Sequence, residues 1–190
     1  CGGDLELDSC GVCGGDDSFC NQPVSDNQNF EIWEDQSLEI VLTGSDPNND
    51  PIIFSILDEP ANGSLEGEDQ NWVYTSNLNY NGMDSFTFTA SDGNWISDPG
   101  TISINILPVN DPPTVPDKSI AVQEDGLVTF DLPSEDVDGD ELSYLIDSPP
   151  TFGEVSISDN HAVYIPFSDF YGSDSFTYTA SDDEFTSPPG

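Results

Sequence analysis

The sequence predicts an all-β fold of tandem Greek-key β-sandwiches that follow a short disulfide-rich N-terminal segment. Three observations predict this fold class. Residues 21–190 contain a repeat whose two copies lie 90 residues apart. Apolar and polar residues alternate within each copy, and no stretch has the period of an amphipathic helix. The predicted divisions are a Cys-rich segment at 1–20, a first repeat at 21–110 and a second repeat at 111–190.

The first 20 residues predict a separate small module. They contain all four cysteines of the chain, which are Cys1, Cys10, Cys13 and Cys20. Too few apolar residues separate these cysteines to form a core, so either disulfides or a zinc ion must hold the segment together. The acidic composition favours an oxidising exterior and therefore disulfides, whose pairing stays open among three connectivities.

The repeat is clearest in one segment of each copy. "YNGMDSFTFTASD" at Tyr80–Asp92 returns as "FYGSDSFTYTASD" at Phe170–Asp182, and no gap is needed to align the rest. Alternation of apolar and polar residues predicts strands with one buried face. In the first copy the predicted inward residues are Leu38, Ile40, Leu42, Ile52, Phe54, Ile56, Phe86, Phe88, Ala90, Ile102, Ile104 and Ile106. In the second copy they are Val128, Phe130, Leu132, Leu142, Tyr144, Ile146, Phe176, Tyr178 and Ala180.

The second copy has no counterpart of one predicted strand. In the first copy Gly100 is followed by "TISINIL" and then by "PVNDPP", whereas the matching position of the second copy is Gly190. Either the chain is an excerpt of a longer tandem array, or a neighbouring molecule supplies the strand by β-augmentation. We expect an excerpt, because "CGGD" at Cys1 recurs at Cys13 and the chain therefore begins within a motif.

The charge of the chain limits its partners. Thirty-eight acidic residues stand against one lysine, Lys118, and no arginine, for a formal net charge of −37. Nucleic acid and anionic membrane both require a cationic face, so neither is expected as a partner. No apolar run of membrane-spanning length occurs, so no membrane insertion is expected. Such a charge destabilises a compact chain unless cations neutralise it, and carboxylate oxygens favour a hard cation such as calcium.

Several motifs of residues 21–190 resemble the tandem cadherin-like repeats of bacterial surface and secreted proteins. The motifs are "ED" near the start of each copy, "PVNDPP" at the junction, "DVDGD" after the second strand of copy two, and "SFTYTASD". This resemblance implies a cadherin/Ig-like sandwich and calcium between successive units. The residues that match the pattern are Glu34, Asp35, Asp84, Asn110, Asp111, Asp136, Asp138, Asp140 and Asp182.

The first copy departs from the resemblance. It has "DPNND", with Asn48 where the second copy has Asp138, so a site formed by Asp46, Asp50 and Asp92 would carry less charge. The alternative for all of these residues is a turn role, since Asp, Asn and Gly are common in β-turns. The fixed spacing of four motifs favours calcium. A second likeness, of "CGVCGGDDSFC" at Cys10–Cys20 to segments of secreted matrix proteases and bacterial exoproteins, implies secretion.

We expect no enzymatic activity. His161 is the only histidine, and its counterpart in the first copy is Asn71 in a predicted turn, so no base is expected beside a nucleophile. The carboxylates lie in polar loops, whereas a glycosidase needs one carboxyl group in an apolar pocket.

The tryptophans are the candidates for partner contact. Trp33, Trp72 and Trp95 correspond in the second copy to Gln123, Ala162 and Phe185, so the fold does not require an indole there. Either they fill the core of one copy, or they contact a glycan, a neighbouring unit or a partner, with Trp33 and Trp95 as the candidates.

The sequence therefore predicts a calcium-stabilised segment of an extracellular or cell-surface protein, acting as a stalk, an adhesin or a filament building block. Its expected partners are neighbouring repeats or copies of the same protein. The alternatives are a glycan-binding accessory module and a fibre subunit assembled by β-strand complementation.

Overall fold

The computed structural model describes residues 21–190. The predicted disulfide segment with Cys1, Cys10, Cys13 and Cys20 lies outside this range. The prediction of an all-β fold is confirmed: every regular element from residue 21 onward is a strand. In this range no helix is long and apolar enough to cross a membrane. Residue contacts divide the chain into a first unit that ends at Val109 and a second unit from Asn110 to Gly190.

The first unit is a sandwich of two sheets. Its strands are β1 (Val24–Ser25), β2 (Gln28–Trp33), β3 (Ser37–Val41), β4 (Gly44–Ser45), β5 (Ile53–Asp58), β6 (Gly63–Glu68), β7 (Asn71–Ser76), β8 (Gly82–Ser91) and β9 (Gly100–Leu107). One sheet has the order β2-β9-β8-β5, with β2 parallel to β9 and the other neighbours antiparallel. The other sheet has the antiparallel order β3-β7-β6, and β1 pairs with β4 at one end.

The alternating pattern of the sequence builds the core of this unit. Along β9 every second residue is buried, as expected for a strand with one face against a second sheet. The core combines side chains from both sheets: Ile32, Ile40, Leu42, Phe54, Tyr74, Phe86, Phe88, Ala90, Ile102, Ile104 and Ile106. Leu38, Ile52 and Ile56, which were also predicted to face inward, are partly buried against it.

The second unit repeats part of this architecture. Its strands are β10 (Val128–Asp131), β11 (Ser143–Ser148), β12 (Gly153–Ser158), β13 (His161–Pro166) and β14 (Thr177–Ser181). One sheet has the order β10-β13-β12, and the other contains β11 and β14. The 90-residue shift is visible in the register: the irregularity between Ile56 and Asp58 recurs between Ile146 and Ser148. The core is smaller, with Leu132, Ala162 and Tyr178 at its centre.

Candidate functional site: an aspartate loop in the second unit

The aspartates of "DVDGD" are brought together by a tight loop between β10 and β11. Oδ1 of Asp136 accepts hydrogen bonds from the backbone amides of Gly139 (2.9 Å) and Asp140 (3.0 Å). Gly139 has φ +79°, a left-handed conformation that costs glycine little. This turn places one carboxyl oxygen from each of Asp136, Asp138 and Asp140 within 4.8 Å of one another.

Of three further predicted residues, Asp111 is hydrogen-bonded to this loop, and Asn110 and Asp182 are hydrogen-bonded to each other. Oδ2 of Asp138 accepts a hydrogen bond from the backbone amide of Asp111 (2.8 Å). Oδ2 of Asp182 accepts one from the side-chain amide of Asn110 (3.1 Å), and its Oδ1 accepts two from the backbone at Glu184 and Phe185. The negative charge of Asp182 also contributes to raising the pKa of Asp140. We call Asp136, Asp138, Asp140 and Asp182 the aspartate cluster.

The aspartate cluster concentrates negative charge without cationic side chains to offset it. Desolvation first, and then the negative charges of the other three members, raise the pKa of Asp140 above its ordinary value. The backbone amide of Phe185 is the main cause that lowers the pKa of Asp182, and desolvation only partly opposes it. Lys118, which donates to the backbone oxygen of Asp131, is the only lysine of the chain. Cationic side chains therefore do not compensate this concentration of negative charge.

One oxygen of the aspartate cluster is left without a donor. Oδ2 of Asp136 is buried, and no group within residues 21–190 forms a hydrogen bond with it. Burial of a carboxylate oxygen without a partner is costly. Because the neighbouring carboxyl oxygens are also acceptors, Asp136, Asp138 and Asp140 are residues that could hold a cation with oxygen ligands.

The first unit contains the same loop with fewer charges. Oδ1 of Asp46 accepts hydrogen bonds from the amides of Asn48 (2.8 Å) and Asp50 (3.0 Å), and Oδ2 of Asp46 is again buried without a partner among the described residues. Oδ1 of Asp92 accepts two backbone hydrogen bonds, as Asp182 does. The pair Asn48–Asn21 (3.1 Å) stands where the second unit has Asp138 and Asp111, so this loop has two carboxyl groups fewer.

The structure gives other contacts to the remaining predicted ligands. Oε1 of Glu34, which is 2% exposed, accepts a hydrogen bond from the backbone amide of Val109 (2.6 Å). Oδ1 of Asp35 accepts one from the amide of Asn79 (2.9 Å), and Asp125 has the same contact with Asp169.

Asp84 lies in a buried corner that the sequence reasoning missed. Its carboxyl oxygens accept hydrogen bonds from the amides of Ala61, Asn62 and Ser85, and from the hydroxyl of Tyr74 (2.8 Å). Asp174 and Tyr164 form the same corner in the second unit. The signal was present in the sequence, because both members of each pair recur after 90 residues.

The tryptophans differ in exposure. Trp72 packs partly buried against the core of the first unit. Trp33 is 50% exposed and Trp95 is 40% exposed, so both indoles are open to contact.

Comparison with known proteins identifies the repeated unit. The family described as "Bacterial Ig domain" matches residues 21–105 and 110–188. Among curated proteins, none matches the chain.

Solved structures show the same fold at low sequence identity. The chain is similar to the human desmocollin-1 ectodomain, with 16% identity, a TM-score of 0.53, and coverage of 88% of this chain and 34% of that chain. It is similar to mouse cadherin-23 EC22-24, with 16% identity, a TM-score of 0.52, and coverage of 88% and 62%. An endo-fucoidan hydrolase of glycoside hydrolase family 107 is 19% identical, with a TM-score of 0.43; the match covers 87% of this chain and 27% of that chain. The chain spans about a quarter of the length of the hydrolase. The family match and the two cadherin structures show the fold of tandem Ig-like and cadherin-like repeats.

Proposed function

Because the chain belongs to the bacterial Ig domain family over residues 21–105 and 110–188, we propose that it is a structural or adhesive repeat segment of an extracellular or cell-surface protein. Calcium bound at the aspartate cluster stabilises the second unit in this proposal. The role is mechanical and adhesive rather than catalytic. Its expected partners are neighbouring repeats or further copies of the same protein.

The observation that carries the proposal is the buried Oδ2 of Asp136. It lies in a loop where three carboxyl groups converge within 4.8 Å, yet no donor from the described residues reaches it. A purely structural turn would need only Oδ1, which already holds the amides of Gly139 and Asp140. The second oxygen is explained if it is a cation ligand.

The chemistry of the donors favours calcium over other metals. The aspartate cluster offers only oxygen, from four carboxyl groups, and Asn110 adds a side-chain amide beside Asp182. Calcium accepts six to eight oxygen ligands in flexible geometry, whereas zinc prefers nitrogen and sulfur and magnesium retains several waters. Neutralisation of these carboxylates lowers their mutual repulsion, so bound calcium favours the folded state by mass action.

The test is thermal unfolding in calcium and in EDTA. With free calcium at 100 times its dissociation constant, the second unit should gain about 2.7 kcal/mol. Asp136→Asn combined with Asp138→Asn should remove this gain, because asparagine retains one acceptor oxygen for the loop amides but weakens calcium coordination. The matched control is Asp159→Asn in the exposed turn between β12 and β13. An equal melting temperature of the unmodified chain in both solutions defeats the proposal.

A second candidate function is glycan binding through the exposed indoles of the first unit. The observation that favours it is that Trp33 and Trp95 are half-exposed and are replaced in the second unit. Only the backbone of Trp95 takes part in the turn with Asp92, so Trp95→Ala leaves that turn intact. Loss of binding on a glycan array for Trp95→Ala, but not for the matched Phe185→Ala, supports this function.

A further inference from the structure

The sheet β10-β13-β12 carries apolar side chains at one end of its outer face, the face turned away from the core. Leu127, Phe152, Ile165 and Phe167 are each between 45% and 63% exposed. The backbone N–H of Phe167 donates to the carbonyl of Phe152 (2.8 Å), so these two residues are neighbours across β12 and β13. The register of β10 with β13, extended by one residue, places Leu127 opposite Ile165. We call these four residues the apolar patch.

The first unit has polar residues at all four positions of the apolar patch. The 90-residue shift relates the patch to Ser37, Asn62, Thr75 and Asn77. The backbone contact is the same in both units, because the N–H of Asn77 donates to the carbonyl of Asn62 at 2.8 Å. The sandwich therefore forms with polar side chains at these positions, and the fold does not require the apolar patch.

The exposure of the apolar patch is a property of its sheet. The patch lies on the sheet that corresponds to β3-β7-β6, whereas β9 belongs to the other sheet of the sandwich. Ser37, Thr75 and Asn77 are exposed in the first unit, where β9 is in place. These positions are therefore open to solvent whether or not a strand fills the place of β9.

The same outer face has lost acidic residues relative to the first unit. Serine or threonine replaces three glutamates of the outer face of β3-β7-β6. These are Glu39, Glu66 and Glu68. The strands β10, β12 and β13 have two exposed carboxyl groups on this face, Asp131 and Glu154. Asp131 is hydrogen-bonded to His161, the only histidine of the chain. The second unit thus combines more exposed apolar area with fewer carboxyl groups on this face.

We propose that the apolar patch pairs with the apolar patch of a second copy of this chain. A basic partner would be attracted by carboxyl groups, yet the second unit has lost three of them from this face. Two copies of net charge −37 repel each other over most of their surfaces, so they meet most favourably where carboxyl groups are few. A twofold arrangement packs the two three-stranded sheets face to face. This inference rests on the proposed function, because it names the surface through which one copy contacts another.

The experiment is sedimentation velocity of the full chain over a range of concentrations. A face of three strands is small for an interface, so we expect weak pairing with a dissociation constant on the order of 100 µM. Phe152→Asn combined with Phe167→Asn introduces the residue type of the first unit and should weaken the pairing about tenfold at unchanged net charge. The matched control is Leu145→Ser on the other sheet, which is also exposed and also has serine as its counterpart, and it should leave the pairing unchanged.

Two further measurements test the same surface. Ile165→Thr, again the residue type of the first unit, should weaken the pairing without the loss of a ring. Higher salt should strengthen the pairing, because it screens the repulsion between copies, whereas a contact between opposite charges would weaken. Circular dichroism shows that each variant retains its strands.

A chain that stays monomeric up to about 1 mM overturns the proposal. So does a dimer that persists unchanged in the double variant and in Ile165→Thr, because it then forms through another surface. Either result leaves the melting temperature in calcium and in EDTA unaffected, so failure of this inference is distinct from failure of the proposed function.

Discussion

Replacement of Asp84 by alanine should destabilise the first unit, because this one side chain joins three parts of it. Its carboxyl group accepts hydrogen bonds from the amides of the loop between β5 and β6, from the start of β8, and from the Tyr74 hydroxyl on β7. Asp84 is 5% exposed, and Tyr74 is fully buried. Water therefore cannot easily replace the lost acceptor.

The magnitude follows from the four hydrogen bonds that disappear. At a net value of about 1 kcal/mol each, Asp84→Ala should cost about 4 kcal/mol of unfolding free energy. The Tyr74 hydroxyl then retains only a long contact, 3.4 Å, to the backbone oxygen of Asn62. Tyr74→Phe removes one bond and should cost about 1 kcal/mol, and the double variant should cost about 1 kcal/mol less than the sum.

The assay is urea unfolding followed by tryptophan fluorescence. Trp33, Trp72 and Trp95 all lie in the first unit, so this signal reports the first unit alone. The matched control is Asp174→Ala, which removes the equivalent corner of the second unit and should leave the fluorescence transition unchanged. A loss below about 1 kcal/mol for Asp84→Ala, or strict additivity with Tyr74→Phe, would refute the reasoning.

Three further predictions concern the second unit. Burial, and then the hydrogen bond to Asp174, raise the pKa of Tyr164 to about 12. The protonated hydroxyl therefore stabilises the second unit fully below about pH 10, and this stabilisation is lost as pH rises through about 12. In Tyr164→Phe the melting temperature should decrease less over this alkaline range. Desolvation tends to raise the pKa of Asp174, but the hydrogen bonds that its carboxyl group accepts outweigh this effect, so its pKa is lowered. The second unit should therefore lose stability as pH falls from the ordinary aspartate pKa through the lowered value. Asp174→Asn should weaken this acid dependence, as measured by circular dichroism. A Cβ on Gly153 would lie 2.5 Å from the Tyr164 ring, so Gly153→Ala should cost about 1–3 kcal/mol in urea unfolding, against about 1 kcal/mol for Gly139→Ala in its open left-handed turn.

The strands were predictable because their pattern is local. Alternation in segments such as Phe86–Ala90 and Ile102–Ile106 gives each strand one apolar face. Two sheets bury these faces when they pack against each other as a sandwich. The hairpins β6–β7 and β12–β13 were not assigned from the sequence, since β6 and β12 contain glycine and glutamate, and β7 and β13 have consecutive apolar residues instead of strict alternation. Their pairing depends on contacts across the sheet, which composition does not reveal.

The role of each acidic residue was less predictable than the strands. Asp84 and Asp136 are the same residue type, yet Asp84 accepts four hydrogen bonds in a buried corner of β8, and Asp136 retains an oxygen to which no group of residues 21–190 donates. A carboxyl group suits a turn, a corner or a cation equally well. Only its neighbours in three dimensions decide among these roles.

The proposed binding of calcium among Asp136, Asp138, Asp140 and Asp182 is tested most directly by crystals of the full chain grown with calcium. An anomalous difference map should contain a peak about 2.3–2.6 Å from oxygens of these residues, including Oδ2 of Asp136. The same map for crystals of the Asp136→Asn and Asp138→Asn double variant should lack the peak. Carboxyl groups turned apart with only water between them, in a crystal soaked in excess calcium, would contradict the account.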